Sequence, residues 1–247
     1  MKIAIVTGAS SGMGREFVRQ IRKNYRSLDE IWMIARTSKR LEAMARELEK
    51  ESNTKKRAAQ LKTLPMDLCS TEDMEHFREL LRNRKPCVCL LVNGAGVGAY
   101  GPAAHLSMEE QLRMIDLNCR ALTQMTLFCL PYLSRGSQIL QLASGSAFLP
   151  QPKFAVYGAG KAYVVSFSRA LHRELKGRKI TVTSVCPGPV DTEFFAHGGI
   201  SLPWWKRPFL ATPEPVVQKA LLDAQAGRTF SLYGRAIKLV RFLSRIL

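Results

Sequence analysis

The 247-residue sequence has no CxxC pair and only four histidines, so no zinc-ligand spacing can be assembled and no metal site is expected. Its six cysteines are scattered. Cys87 and Cys89 sit two apart in an apolar run, where a strand points both to one face. Reduced thiols serving as small core residues of a cytoplasmic protein are the expectation. Long apolar runs are missing too. The first run breaks off at Gly8, too early for the core of a secretory signal, and none approaches the ~20 residues of a membrane-spanning helix. Acids are also scarce: 20 Asp and Glu stand against 37 Lys and Arg, a formal net charge of +17. Such a field draws phosphates, acidic proteins, nucleic acid or anionic lipid. The basic residues are spread over many helix-type runs without a recognised binding motif, so a nucleic-acid partner is not expected.

What is there is alternation. Short β-type runs at Lys2–Thr7, 31–35, 59–66, Cys87–Asn93, 138–143 and 180–186 are separated by amphipathic stretches. Ser38–Glu51, with Leu41, Met44, Ala45 and Leu48 at helical spacing, is one of these stretches. Continuous apolar strands between helices require a parallel sheet covered on both faces. The predicted fold is therefore α/β, a doubly wound parallel sheet of Rossmann type in a single domain. There is no repeat, low-complexity tract or linker. The alternation lapses after Cys186. Residues 187–211 carry four prolines, three glycines and five large aromatics, namely Phe194, Phe195, Trp204, Trp205 and Phe209. Thr212 then reads as an N-cap with Pro213 at the first helical position, followed by a short strand at 230–233.

The first strand runs into Thr7-Gly8-Ala9-Ser10-Ser11-Gly12-Met13-Gly14, three glycines opening a helix. Without side chains there, backbone N–H groups can approach a pyrophosphate at the helix N-terminus, where the dipole favours negative charge. The spacing is GxxxGxG, and TGxxxGxG resembles the short-chain dehydrogenase/reductase family. Other marks of that family follow in order. They are Asp67-Leu68 after the third strand, Asn93-Gly94-Ala95-Gly96 after the fourth (with Gly94 in place of a second Asn) and Asn118 in Asp116-Leu117-Asn118. Then come Ser144, Tyr157 and Lys161 with the family's 13-residue Ser-to-Tyr spacing, and Pro187-Gly188 through Val190 to Thr192. The resemblance covers Lys2 to about Thr192. It implies that Gly8, Ser10, Ser11, Gly12, Met13, Gly14, Asp67, Leu68, Asn93, Gly94, Ala95, Tyr157, Lys161, Pro187, Gly188, Val190 and Thr192 line a dinucleotide, with Asp67 on the adenine. It also implies a catalytic set of Asn118, Ser144, Tyr157 and Lys161.

The chemistry of that set can be argued separately. Tyr157 and Lys161 are one turn apart on a helical run, 157–176, and project from one face. A neighbouring ammonium favours the phenolate and is expected to lower the Tyr157 pKa. Ser144 can hydrogen-bond a carbonyl oxygen as charge develops on it. By resemblance, Lys161 also binds the ribose, and Asn118 holds a water linking Lys161 to solvent. At the end of the second strand Ala35 is followed by Arg36 and Thr37, where a user of the unphosphorylated cofactor places an acid. The guanidinium fork of Arg36 suits a 2′-phosphate, which implies NADP(H). Val97, Phe148, Leu149 and the aromatic segment after Pro187 are expected around the substrate, favouring a hydrophobic ketone or alcohol, steroid-like or fatty. Two other readings stay open: reduction of 3-oxoacyl groups on an acidic carrier protein, and an NADPH-sensing regulator without turnover.

Residues 1–233 are assigned to the catalytic domain and 234–247 to a basic amphipathic C-terminal helix. In that helix Ala236, Ile237, Leu239, Val240, Phe242, Leu243, Ile246 and Leu247 cover roughly 220° of arc, with Lys238, Arg241 and Arg245 on the remainder. Its apolar face is expected either to pack on the domain or a second subunit, or to lie on an anionic membrane surface. By resemblance a homodimer or homotetramer is expected, through helices around 111–130 and 157–176.

Overall fold

A computed structural model of the chain describes residues 1–51, 58–194 and 210–244. Seven parallel strands lie in the order β3-β2-β1-β4-β5-β6-β7. They are β1 (Lys2–Thr7), β2 (Glu30–Ala35), β3 (Gln60–Pro65), β4 (Cys87–Asn93), β5 (Leu133–Leu142), β6 (Thr181–Val185) and β7 (Phe230–Ser231). The order reverses between β3-β2-β1 and β4 onward, so a crevice opens beyond the carboxyl ends of β1 and β4.

Helices α1 (Gly12–Asn24), α2 (Ser38–Glu51) and α7 (Pro213–Gln225) cover one face, where Ala4 and Val6 of β1 meet Phe17, Ile21, Leu41 and Val217. On the other face Ile3 and Ile5 meet Phe77 of α3 (Thr71–Arg84), Met125 of α5 (Leu122–Cys129) and Leu171 of α6 (Ala155–Glu174). Each strand must satisfy two apolar layers at once, which is why it reads as unbroken rather than alternating. Between α4 (Met108–Ile115) and α5 runs a π-helical turn, Asp116–Ala121, and the chain ends in α8 (Arg235–Leu243). Helix starts follow local chemistry. Ser107 and Glu110 close a capping box on α4, and the Ser70 hydroxyl accepts from Asp73 N–H on α3.

The predicted strands agree within a residue or two except at two places. β5 begins at Leu133 rather than near residue 138, because Val88 pairs with Leu133 while Leu90 already pairs with Gln138. The intervening residues 134–137 bulge around Gly136, whose φ is 89°. β7 is two residues long, not four. Among the described residues no helix is long and apolar enough to cross a membrane.

The β1–α1 turn is held by backbone contact. A Cβ on Gly14 would lie 2.0 Å from the Gly8 carbonyl oxygen, and one on Gly8 would lie 2.8 Å from Ala95 N. Gly14→Ala is therefore expected to cost about 3 kcal/mol, the upper end of overpacking losses. Urea unfolding monitored by circular dichroism checks it, and a loss under about 1 kcal/mol would mean that the turn relaxes freely.

Candidate active site

The glycine turn and the end of β4 are stapled by one hydroxyl. Thr7 Oγ1 accepts from Gly94 N–H at 3.0 Å and Ala95 N–H at 3.1 Å. Gly8 and Gly12 take positive φ, 68° and 48°, conformations in which a side chain is strained. The result is a backbone-lined cradle at the N-terminus of α1, the kind of surface a pyrophosphate needs. Ser10 and Ser11 are half-buried beside it, and Met13 turns onto the core. Arg36 and Thr37 are exposed beyond the carboxyl end of β2. Asp67 is held in a local turn, its carboxylate accepting from Cys69 N–H at 2.9 Å.

Two of the expected lining residues turn away. Leu68 is buried in the core. Asn93 is 2% exposed, its amide donating to Thr126 Oγ1 and Gln141 Oε1 at 2.9 and 2.8 Å. Its side chain braces β4, β5 and α5 beneath the cleft.

The four-residue set gathers at the carboxyl end of β5. Ser144 follows that strand, its hydroxyl accepting from Ser146 N–H at 3.1 Å and close enough to the Tyr157 phenol to bear on its pKa. Lys161, one turn on along α6, donates from Nζ to the Leu142 carbonyl at 2.8 Å and sits 5.6 Å from the Tyr157 ring centre. Asn118 lies in the π-helical turn, a distortion that frequently marks functional sites. Its side chain pairs with one residue, accepting from Val97 N–H at 3.0 Å and donating to the Val97 carbonyl at 2.8 Å. Gly96 leaves the space between: a Cβ there would lie 3.0 Å from Asn118 Oδ1 and 3.5 Å from Lys161 Nζ.

Burial raises the Tyr157 pKa to about 12, and the nearby Ser144 hydroxyl opposes it. The lowering by Lys161 expected from the spacing is not what governs, because the ammonium is turned to Leu142. Burial brings Lys161 down to about 8, with the thiols of Cys119 and Cys186 acting the other way.

Around the phenol lies an aromatic wall. Phe154 meets Tyr157 edge-on at 5.1 Å, Tyr100 meets Phe154 at 5.1 Å, and Phe194 meets Tyr157 at 5.5 Å. A Cβ on Gly98 would lie 2.5 Å from Phe194 Cζ, so that ring needs a glycine opposite. The sequence reasoning named Val97 and Phe194 here but missed Tyr100, Phe154 and Gly98. Phe154 stands three residues before Tyr157, where a helix start turns it to the same side. Phe148, expected at the substrate, instead lies 6.2 Å from Phe230 on the α8 side. Phe195, Trp204, Trp205 and Phe209 lie outside the described residues.

Residues 2–198 match the family model described as short chain dehydrogenase. The chain belongs to that family. Short-chain dehydrogenases are oxidoreductases of alcohol and carbonyl groups that bind a nicotinamide dinucleotide, and the site described here is of that kind. The chain is 33% identical to a sulfoacetaldehyde reductase 2 of Chromohalobacter salexigens, over 78% of the chain and 74% of that protein. It is 27% identical to the human very-long-chain 3-oxoacyl-CoA reductase, over 98% of the chain and 69% of that protein. A short-chain dehydrogenase from Sphingobium yanoikuyae, solved in complex with NADPH, superposes with a TM-score of 0.84 at 25% identity, covering 100% and 94% of the two chains.

A buried ammonium has a measurable consequence. With a folded pKa near 8 against an ordinary 10.5, Lys161 is charged in both states below pH 8, where its burial costs stability in full. Between pH 8 and 10.5 the folded state gives up its proton first, so stability rises with pH. Lys161→Met should therefore be inactive yet more stable by on the order of 1–3 kcal/mol at pH 7, the gain shrinking toward pH 10. Thermal melting of both proteins from pH 6 to 10 checks it. A variant less stable at pH 7 would mean that the bond to Leu142 outweighs the buried charge.

Proposed function

We propose that this protein is an NADPH-dependent reductase of hydrophobic ketones or aldehydes, acting in reverse as an alcohol dehydrogenase. The observation that carries it is the buried Tyr157 phenol, with Ser144 close by and Lys161 one turn on, beside a glycine cradle. When bound along Gly8, Gly12, Gly14, Gly94, Ala95, Pro187, Gly188 and Thr192, the cofactor supplies the hydride.

The protein's own residues do the rest. Tyr157, protonated at neutral pH, gives its proton to the carbonyl oxygen while Ser144 donates a hydrogen bond to that oxygen. The Lys161 ammonium then offsets the charge left on the phenolate. Asn118, held in place by its two bonds to Val97, would hold a water linking Lys161 to solvent for proton resupply.

The aromatic surfaces of Tyr100, Phe154 and Phe194 favour an apolar substrate. The human very-long-chain 3-oxoacyl-CoA reductase supports a fatty carbonyl, whereas the bacterial sulfoacetaldehyde reductase is the counter-example that the aromatic wall argues against. Exposed Leu112, Ile115, Leu127 and Tyr163 on α4, α5 and α6 support self-association over that face. Six unpaired cysteines support a reducing, cytoplasmic setting.

Tyr157→Phe should lose turnover by 10²–10⁴-fold, roughly the contribution of a positioned proton donor, while still binding NADPH. Steady-state rates across a ketone panel test it, and a variant within about tenfold of wild type would overturn the role.

Arg36 should decide the cofactor. Arg36→Ala is expected to weaken NADPH by about tenfold or more and leave NADH nearly unchanged, because a charge-assisted bond to the 2′-phosphate is absent with NADH. Fluorescence titration of both cofactors checks it, and equal losses would make Arg36 a bystander.

A further inference from the structure

Helix α8 has two faces rather than one. Ile237, Val240, Arg241 and Ser244 are half-buried. Ile237 reaches the loop after Ser144, where a Cβ on Gly145 would lie 2.7 Å from its Cδ1 and one on Gly188 3.3 Å from its Cγ1. The guanidinium of Arg241 lies 3.7 Å from the ring centre of Phe230. Arg241, expected on a solvated basic face, instead anchors the helix to the sheet edge by a cation–π contact.

Among the described residues the opposite face is apolar and exposed. Leu239, Phe242 and Leu243 are 58%, 62% and 42% exposed, and Ala236 is exposed beside them. At 100° per residue these four span roughly 120°, a contiguous stripe with exposed Lys238 at its edge. The helix itself carries one sign of charge. Along α8 there is no Asp or Glu, against Arg235, Lys238 and Arg241. Exposed Arg169 of α6 approaches the same sheet edge, 6.0 Å from the Phe230 ring centre.

An apolar stripe bordered by cations matches a surface that is apolar within and anionic at its rim. We infer that the outer face of α8 docks on an anionic lipid surface. Leu239, Phe242 and Leu243 enter the acyl boundary while Lys238 at the edge of the stripe meets the headgroups. A second copy of the chain fits less well, because it would bring two acid-free basic segments together. The helix is well placed for this. Its Ile237 walls a cavity next to Gly188, so docking holds the loop after β6 close to the lipid surface.

Sedimentation of the full chain with vesicles tests the inference without any assay of turnover. The protein should pellet with phosphatidylcholine vesicles containing phosphatidylserine at low salt. It should pellet several-fold less with phosphatidylcholine alone or at high salt. Leu239→Ser with Phe242→Ser should cut the pelleted fraction about fivefold or more while thermal melting stays unchanged, since both side chains already face water. The inference is overturned if wild type stays in the supernatant with anionic vesicles, or if the double variant pellets like wild type. It is equally overturned if light scattering shows wild type to be a dimer that the double variant splits, because the stripe is then a self-contact.

Discussion

A buried ammonium is the constraint around which the site is arranged. Lys161 is 5% exposed, and a cation at that depth persists only where its hydrogen bonds are met and its neighbours leave it room. The end of β5 supplies the carbonyl of Leu142, and Gly96 supplies the room. The π-helical turn brings Asn118 to Val97 so that the loop carrying Gly96 cannot drift. Remove any of these and the charge must either leave α6 or lose its proton. The phenol one turn earlier inherits the same burial, which is why Tyr157 holds its proton so firmly and needs Ser144 beside it.

That depth is itself a product of packing below. The Asn93–Thr126–Gln141 cluster is buried, and it crosses from β4 to α5 and β5 directly under the cleft. Its members share hydrogen bonds that no water reaches, so they fix the mutual height of two strands and a helix. Above them the loops after β4 and β5 can place Gly96 and Ser144 without support of their own. The floor is polar, the walls are apolar, and the Lys161 ammonium lies between.

Much of this was legible in the residues. The strands are readable because each carries two apolar layers, as Ile3 and Ile5 against Ala4 and Val6 illustrate. The glycine turn is readable because Gly8, Gly12 and Gly14 have no other reason to stand together. What escaped reading depends on neighbours distant in sequence. The polar run at 134–137 hides the start of β5, whose pairing is chosen by Val88. Asn93 looks like a cleft residue until Thr126 and Gln141 claim its amide. Helical periodicity put Arg241 with the solvated cations, yet Phe230, eleven residues earlier and on another element, draws it inward.

The segment after β6 ties the two halves of the cleft together. Thr192 packs on Gly12, with a Cβ there only 3.1 Å from the threonine methyl. Glu193 pairs with Arg40 of α2 at 3.1 Å, beyond the carboxyl end of β2. Phe194 lies against Tyr157 and Gly98 on the substrate side. Three consecutive residues thus touch the glycine turn, the helix that follows β2, and Tyr157. Because consecutive residues are only about 3.8 Å apart and share one backbone, none can move far without the others. The glycine turn and the aromatic wall are therefore bounded by a single loop, and the shape of one cannot be set independently of the other.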